Sequence, residues 1–265
     1  MYEIDVTIAT YRKEGIERVA AILPPEEKCV RYIISWQEDE GYPIPETFSK
    51  RGDVEVYRFE KKGLSANRNN AISKCKGDIV VIGDDDLQYH PDFIEIIRKA
   101  YNDNPQQDIL LFKVDFDNPK TYPVKDCNLE WPLPQNYYCS SVEISFRREK
   151  IGELRFQEDI GLGIPGYECG EDELFLWEAI KKRLHCRFIN KSIATHKGAT
   201  TGEKNRSGVI RGQGYVIRKM YPVTFILRLL LKAYRLSWNK DVSFYPTLKC
   251  LFQGAFRRNK KEELP

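Results

Sequence analysis

This sequence predicts an α/β fold with a Rossmann-like, mostly parallel central sheet and helices on both faces. Three observations predict it. From the N-terminus to about residue 116, β-rich apolar runs alternate with segments of helical periodicity, the signature of βαβ units. The apolar runs are short and lack polar alternation, as in strands covered on both faces. The chain has 265 residues, enough for one large domain, or one domain with an appendage, and a substantial core.

Taken in order, "IDVTIAT" (Ile4–Thr10) is a strand rich in β-branched residues. "KEGIERVAAIL" has apolar residues at helical spacing and is stopped by Pro24-Pro25. "CVRYIISW" (Cys29–Trp36) is a second buried strand, "GYPIPETFSKRG" a punctuated loop, and "VEVYRF" (Val54–Phe59) a third strand. "SANRNNAISKC" follows as a helix with Ser65 as its expected N-cap. "DIVVIG" is a fourth strand, "PDFIEIIRKAYN" a helix with Pro91 in its first turn, and "DILLFKVDF" a fifth strand. The pattern then changes. An irregular Pro-rich stretch leads to a strand, "SSVEISFRRE". A Gly-rich loop then feeds a helix from about Glu171 to Leu184, and one or two short strands end near His196.

Composition narrows the function. The net charge of +3 implies no nucleic-acid partner. The charge is uneven: residues 221–265 hold nine Lys/Arg against three Asp/Glu, so the tail carries +6 and residues 1–220 sum to −3. Seven scattered cysteines without a CxxC pair read as reduced thiols rather than disulfides or a zinc ribbon. The start lacks a signal-peptide layout, and no apolar run reaches the 18–20 residues or so needed to span a bilayer. A cytoplasmic protein is expected.

In such sheets ligands bind outside the carboxyl ends of the strands. Three segments meet that edge: Thr10-Tyr11-Arg12, Trp36-Gln37-Glu38-Asp39 and Asp84-Asp85-Asp86. Carboxylates at the end of an apolar run need a compensating charge. A hard divalent cation, Mg²⁺ or Mn²⁺, suits them, because these metals take oxygen ligands and bridge to substrate phosphates. A calcium loop fails, since its sixth position would be Tyr89 rather than Gly, and a strand precedes it.

The stretch "KGLSANRNNAISKCKGDIVVIGDDDLQYHPDFI" resembles the nucleotide-sugar-binding half of family 2 glycosyltransferases of the GT-A fold, with their "GLSxxRNxAI", "GD(I/V)" and "DxD" elements. "GYECGEDELFLWEAIKKRLH" is similar to their later acidic motif, and Asp172 follows Asp86 by 86 residues. The likeness covers about residues 3–200 and is strongest to bacterial capsule and exopolysaccharide transferases. It implies transfer of a sugar from a nucleotide-diphosphate donor, with UDP as the expected nucleotide, to a glycan acceptor, with inversion and with Mn²⁺ or Mg²⁺.

Carried over, the resemblance makes Asp86 the direct metal ligand, with Asp84 and His196 completing the shell. Asp84 and Asp85 would face the ribose or a metal-bound water, and Thr10, Tyr11 and Arg12 would line the nucleotide pocket. The family's base-contacting aspartate is replaced here by "WQEDE", leaving Gln37, Glu38 or Asp39 to serve. Arg68 either holds the diphosphate or pairs with one of the aspartates. His196 is alternatively a plain loop histidine.

Asp172, with Glu171 beside it, would be the general base, at a helix start whose dipole favours ionised carboxylates. Residues 1–116 then form the donor half, 117–220 the acceptor and base half, and 221–265 a basic helical extension. "THKGATTGEKNRSGVIRGQG" (Thr195–Gly214) reads either as a lid closing through Lys197, Lys204 or Arg206, or as a flexible loop.

"PVTFILRLLLKAYRLSW" (Pro222–Trp238) fits an interfacial amphipathic helix, a helix packed on the body, or an oligomer contact. A peripheral location at the inner face of the membrane, with a lipid-linked acceptor, follows from the first. Two other functions are open on this fold. A sugar-1-phosphate nucleotidyltransferase would need a Gly-rich basic loop after the first strand, where "TYRKEG" stands. A non-catalytic glycan-binding scaffold would need neither acidic motif.

Overall fold

In the computed structural model, which describes residues 1–118, 120–196, 206–239 and 242–257, the chain opens with β1 (Ile4–Tyr11), α1 (Arg12–Ile22), β2 (Val30–Gln37), the single turn α2 (Glu46–Ser49) and β3 (Val54–Phe59). Then come α3 (Leu64–Lys74), β4 (Ile79–Asp84), β5 (Leu87–Tyr89), α4 (Phe93–Asp103), β6 (Ile109–Phe116) and β7 (Cys127–Leu129). After a 3₁₀ turn follow β8 (Ile144–Arg147), the short α5 (Arg148–Ile151), α6 (Glu171–Lys181) and β9 (Cys186–His196). Three helices end the chain: α7 (Arg206–Met220), α8 (Phe225–Asn239) and α9 (Phe244–Ala255).

The strands form one sheet in the order β3-β2-β1-β4-β8-β6-β9-β5, with β7 paired to β9. Pairing is parallel from β3 through β4 and between β6 and β9. Strand β8 lies antiparallel to both β4 and β6, so those two share a direction. Six of the nine strands (β1, β2, β3, β4, β6 and β9) thus point one way, which brings Tyr11, Gln37, Asp84, Phe116 and His196 to one edge.

Both faces are covered. One core gathers Val6, Ile34, Trp36, Ile97 and Phe112 under α1 and α4. The other gathers Ile72, Val80, Phe146, Phe156 and Phe175 under α3 and α6. All seven cysteines are free thiols.

Three local expectations change. Ser65 is not the N-cap of α3; Gly63 is, and the Ser65 hydroxyl donates instead to the Ile160 carbonyl at 2.9 Å. Pro91 lies in the turn before α4, whose N-cap is Asp92. Helix α6 ends at Lys181, and Arg183 then takes φ +63°, which no further helical turn accommodates. The second half of the Gly-rich basic segment is helical as α7, while Lys197 and Lys204 and the side chain of Arg206 lie outside the described residues.

The irregular stretch after β6 is tied down by a buried ion pair. The Lys120 ammonium donates to Glu143, and both side chains are almost wholly buried. The Tyr122 and Tyr137 hydroxyls also donate to Glu143, at 3.0 and 2.8 Å. The rings of Phe116, Tyr122, Tyr137 and Tyr138 surround the ammonium, 4.3–5.5 Å away. A charge this deep is tolerated because the opposite charge, two hydroxyl donors and four ring faces surround the pair.

Lys120→Met should destabilise the fold by about 3–5 kcal/mol in denaturant titration, because it leaves a buried carboxylate uncompensated. Adding Glu143→Gln should recover most of that loss. A double variant as weak as the single one would mean that the pair does not act by charge.

Candidate functional site

The site is built from the ends of β1, β2, β4 and β9 and the N-terminus of α6. At its centre is Arg68 of α3, whose side chain is only 4% exposed. Its Nη2 donates to both carboxylate oxygens of Asp84, at 3.1 and 2.8 Å. Its Nη1 donates to Asp172 Oδ1 at 3.2 Å and lies 3.6 Å from Glu171. One guanidinium therefore joins the aspartate run after β4 to the acidic start of α6, 88 residues apart in sequence between Asp84 and Asp172 (172 − 84). Of the two expectations for Arg68, pairing with an aspartate is what the geometry shows, with two acidic motifs rather than one.

The carboxylates outnumber the cation, and burial decides their protonation. Burial, against the pull of Arg68, pushes the Asp84 carboxyl up to about 6. Burial first, then the charge of Asp172, pushes Glu171 up to about 7. Glu173 is also raised by burial. The expectation that the helix dipole would favour ionised carboxylates here is reversed for Glu171 and Glu173, because desolvation outweighs a terminal dipole of about 1 kcal/mol.

Close glycine contacts shape the neighbourhood. Gly161 has φ +108°, and a side chain there would meet the Glu171 carboxyl at 2.8 Å. Gly15, in "TYRKEG", lies so close to Thr10 and Asp85 that a Cβ would overlap both.

The three aspartates separate in space. Asp84 is held by Arg68. Asp85 accepts from Thr10 Oγ1 at 2.6 Å, and both its oxygens accept from Arg18 Nη2 at 3.0 Å. Asp86 turns to His196, with Oδ2 3.2 Å from Nε2. That contact, ahead of the opposing effect of burial, raises the His196 pKa. The reading that Asp84 and Asp85 face a ribose or a metal-bound water therefore meets a different geometry: arginines occupy both carboxylates.

Among the described residues no three acidic, His or Cys side chains converge as a metal shell. Asp84, Asp86 and His196 are thus not assembled as one set, because Asp84 is turned into its pair with Arg68. Asp86 Oδ1 and His196 Nδ1 are both buried without a hydrogen-bond partner. The pair fits one oxygen and one nitrogen ligand for a divalent cation, leaving other positions to phosphate oxygens and water, as Mg²⁺ and Mn²⁺ prefer.

The remaining sequence candidates fall along the same edge. Tyr11 is half exposed, and the Thr10 carbonyl accepts from Asn67 Nδ2 at 2.9 Å. Arg12 opens α1 at φ +58°, held by the Trp36 indole, which donates to its carbonyl at 2.9 Å. Its side chain pairs with Glu38 at 3.1 Å, and Arg12 first, then Lys62, lowers the Glu38 pKa. Asp39 is lowered by the Gly41 amide and then Arg58. Gln37 is buried and donates to the carbonyls of Lys61 and Gly63, so it holds that turn rather than facing out.

Arg18, Asn67 and Glu158 belong to this scaffold and were not singled out from sequence. Glu158 accepts from Asn69 of α3 at 2.9 Å. Arg18 lies two helical turns into α1, and nothing in local spacing marks it; the "ANRNN" run of α3 held the only signal for Asn67.

A mostly parallel α/β sheet with paired acidic motifs at its carboxyl edge defines the class as GT-A-like. Residues 38–165, just under half of the chain, match the model of the glycosyl transferase family 2. Glucosyl-dolichyl phosphate glucuronosyltransferase of Haloferax volcanii is 27% identical over 112 residues, 39% of this chain. The match spans only about a third (35%) of that relative's length.

S. aureus TarS 1–349 superposes with a TM-score of 0.59 at 17% identity, covering 96% of this chain and 72% of that one. The same protein in complex with UDP gives 0.57 at 17% identity, covering 91% and 72%. Its UDP-GlcNAc complex gives 0.57 at 17% identity, covering 94% and 70%. At such identity the likeness is one of fold.

Glu171 yields a pH test. Its folded-state pKa lies above the value of 4.5 expected unfolded. Stability from its neutral form is present below that value and lost as pH rises through about 7. Glu171→Gln should match the wild type in thermal melting near pH 4.5 and exceed it at pH 8, by on the order of 1–3 kcal/mol. A pH-independent difference would contradict this assignment.

Proposed function

We propose that this protein transfers a sugar from a nucleotide-diphosphate donor, with UDP as the nucleotide, to a glycan acceptor. The observation that carries the reading is the cluster in which Arg68 joins Asp84 to Asp172 beside the Asp86–His196 pair. It supplies a hydroxyl-facing carboxylate and an anion-rich corner at the carboxyl edge of the sheet, the edge where ligands of such folds bind.

Asp172 is the general base. It is 23% exposed, open enough to meet a hydroxyl, and its Oδ1 accepts from Arg68 Nη1 at 3.2 Å, which holds the carboxylate in place. The acceptor oxygen forms its bond to the anomeric carbon as the bond to the diphosphate breaks. The hydroxyl proton passes to Asp172, and the bonding electron pair leaves with the diphosphate. Inversion follows from this single displacement.

Asp86 and His196 would hold Mn²⁺ or Mg²⁺, which stabilises charge on the departing diphosphate. Thr10, Tyr11, Arg12, Glu38 and Asp39 border the nucleotide, and Gln37 shapes the turn behind it. Arg68, itself paired with Glu171, holds Asp172 in place. Asp85 keeps β1 and the aspartate turn in register through Thr10 and Arg18.

The acceptor is a growing surface glycan of a bacterium, carried on lipid at the inner face of the membrane. Residues 1–116 serve the donor, residues 117–220 the acceptor and base, and the segment from 221 the membrane. A nucleotidyltransferase finds less support, because β1 passes directly into α1, with Gly15 inside that helix and no Gly-rich loop between them.

Asp172→Asn should lower transfer by about 10²–10⁴-fold while UDP-sugar with Mn²⁺ still raises the melting temperature. Asp86→Ala should abolish that thermal response across a panel of nucleotide sugars. Loss of donor stabilisation in Asp172→Asn equal to that in Asp86→Ala would remove Asp172 from the role of base.

A further inference from the structure

We propose that the outer face of α8 is a docking surface for an anionic lipid bilayer. The helix is apolar on two sides. Phe225, Leu229 and Ala233, four residues apart, are buried against Ile210 of α7 and against Leu251 and Ala255 of α9. That stripe accounts for how α8 packs on the body.

A second stripe faces out. Leu227, Leu230, Leu231, Tyr234 and Trp238 recur at helical spacing and are 38–76% exposed. Isolated apolar side chains on a surface need no explanation, but a contiguous stripe does. Nine of the fourteen exposed large apolar residues among the described residues fall between Val223 and Phe256.

Charge selects the occupant. Neither α8 nor α9 contains an acidic residue, while α8 carries Arg228, Lys232 and Arg235 and α9 carries Lys249. Lys232 interacts with Glu173 of α6, opposing part of the rise that burial gives that carboxyl. Arg228 lies 3.6 Å over the Tyr221 ring, and Arg235 is exposed. A second copy docking through this face would bring another basic helix without acidic residues against it. Anionic headgroups instead match it, each cation near the surface adding to the attraction.

The rings of Tyr234 and Trp238, 5.7 Å apart at the C-terminal end of the stripe, suit the boundary between acyl chains and water. At 15 residues α8 is too short to cross, and no described helix is long and apolar enough to do so. It lies in the plane of the bilayer, with its inner stripe still packed on α7 and α9.

The test is sedimentation of the 265-residue chain with vesicles of phosphatidylcholine and phosphatidylglycerol in a 3:1 ratio, and with phosphatidylcholine alone. The wild type should partition to the mixed vesicles and be released as salt rises from about 0.1 to 1 M. Leu227→Ser combined with Leu231→Ser should cut partitioning by about tenfold or more. Its far-UV spectrum and its thermal response to UDP-sugar in the absence of vesicles should stay unchanged. That second readout keeps failure of the docking surface separate from failure of the transferase reading.

Three results would overturn the proposal: no wild-type binding to mixed vesicles, equal binding by the double variant, or a concentration-dependent dimer in solution that the double variant abolishes.

Discussion

Arg68 is the cation on which the site turns. A buried guanidinium is stable only where carboxylates surround it, and here they come from two places far apart in sequence: Asp84 at the end of β4, and Glu171 and Asp172 at the start of α6. The pairing fixes the distance between the two acidic motifs. It also fixes their protonation, since three carboxylates crowd one cation in a desolvated corner and cannot all ionise at ordinary cost. The raised values of Asp84 and Glu171 follow directly.

Around that cluster the scaffold removes freedom. Asn69 binds the backbone of Phe156 on both sides, donating to its carbonyl and accepting from its amide. Ser65 donates to Ile160, and Gly161 lets the loop pass against Glu171. The Gly-rich approach to α6 is thereby seated on α3, the helix that carries Arg68. On the other side Asp85 ties β1 to the aspartate turn through Thr10, with Arg18 closing the contact. Asp86, next in sequence, points elsewhere and meets His196 at the end of β9. Three adjacent carboxylates thus serve three different neighbours, as the chain turns sharply between β4 and β5.

The C-terminal helices follow a different logic. Helix α7 packs on α9, and α8 on both, into a small apolar core of its own. The basic character expected to start at residue 221 therefore continues a unit that already includes α7. The inner stripe of α8 is used in that core, and the outer one stays exposed.

What the sequence determined by itself was five strands and three helices between Ile4 and Phe116, though neither the single turn α2 nor the short β5, and the edge where the candidate residues gather. Those features are local: β-branched runs, helical spacing, and the rule that parallel strands end on one side. The acidic motifs were legible for the same reason, each being a few consecutive residues. Only the tertiary structure decided which aspartate meets which partner. It set Asp85 against Arg18, turned Gln37 inward to the 61–63 turn, inserted β8 antiparallel between β4 and β6, and buried Lys120 among four rings. Each of these depends on contacts between residues distant in sequence, and burial, which set the protonation of Glu171 against its helix dipole, belongs to the packed chain and not to any short segment of it.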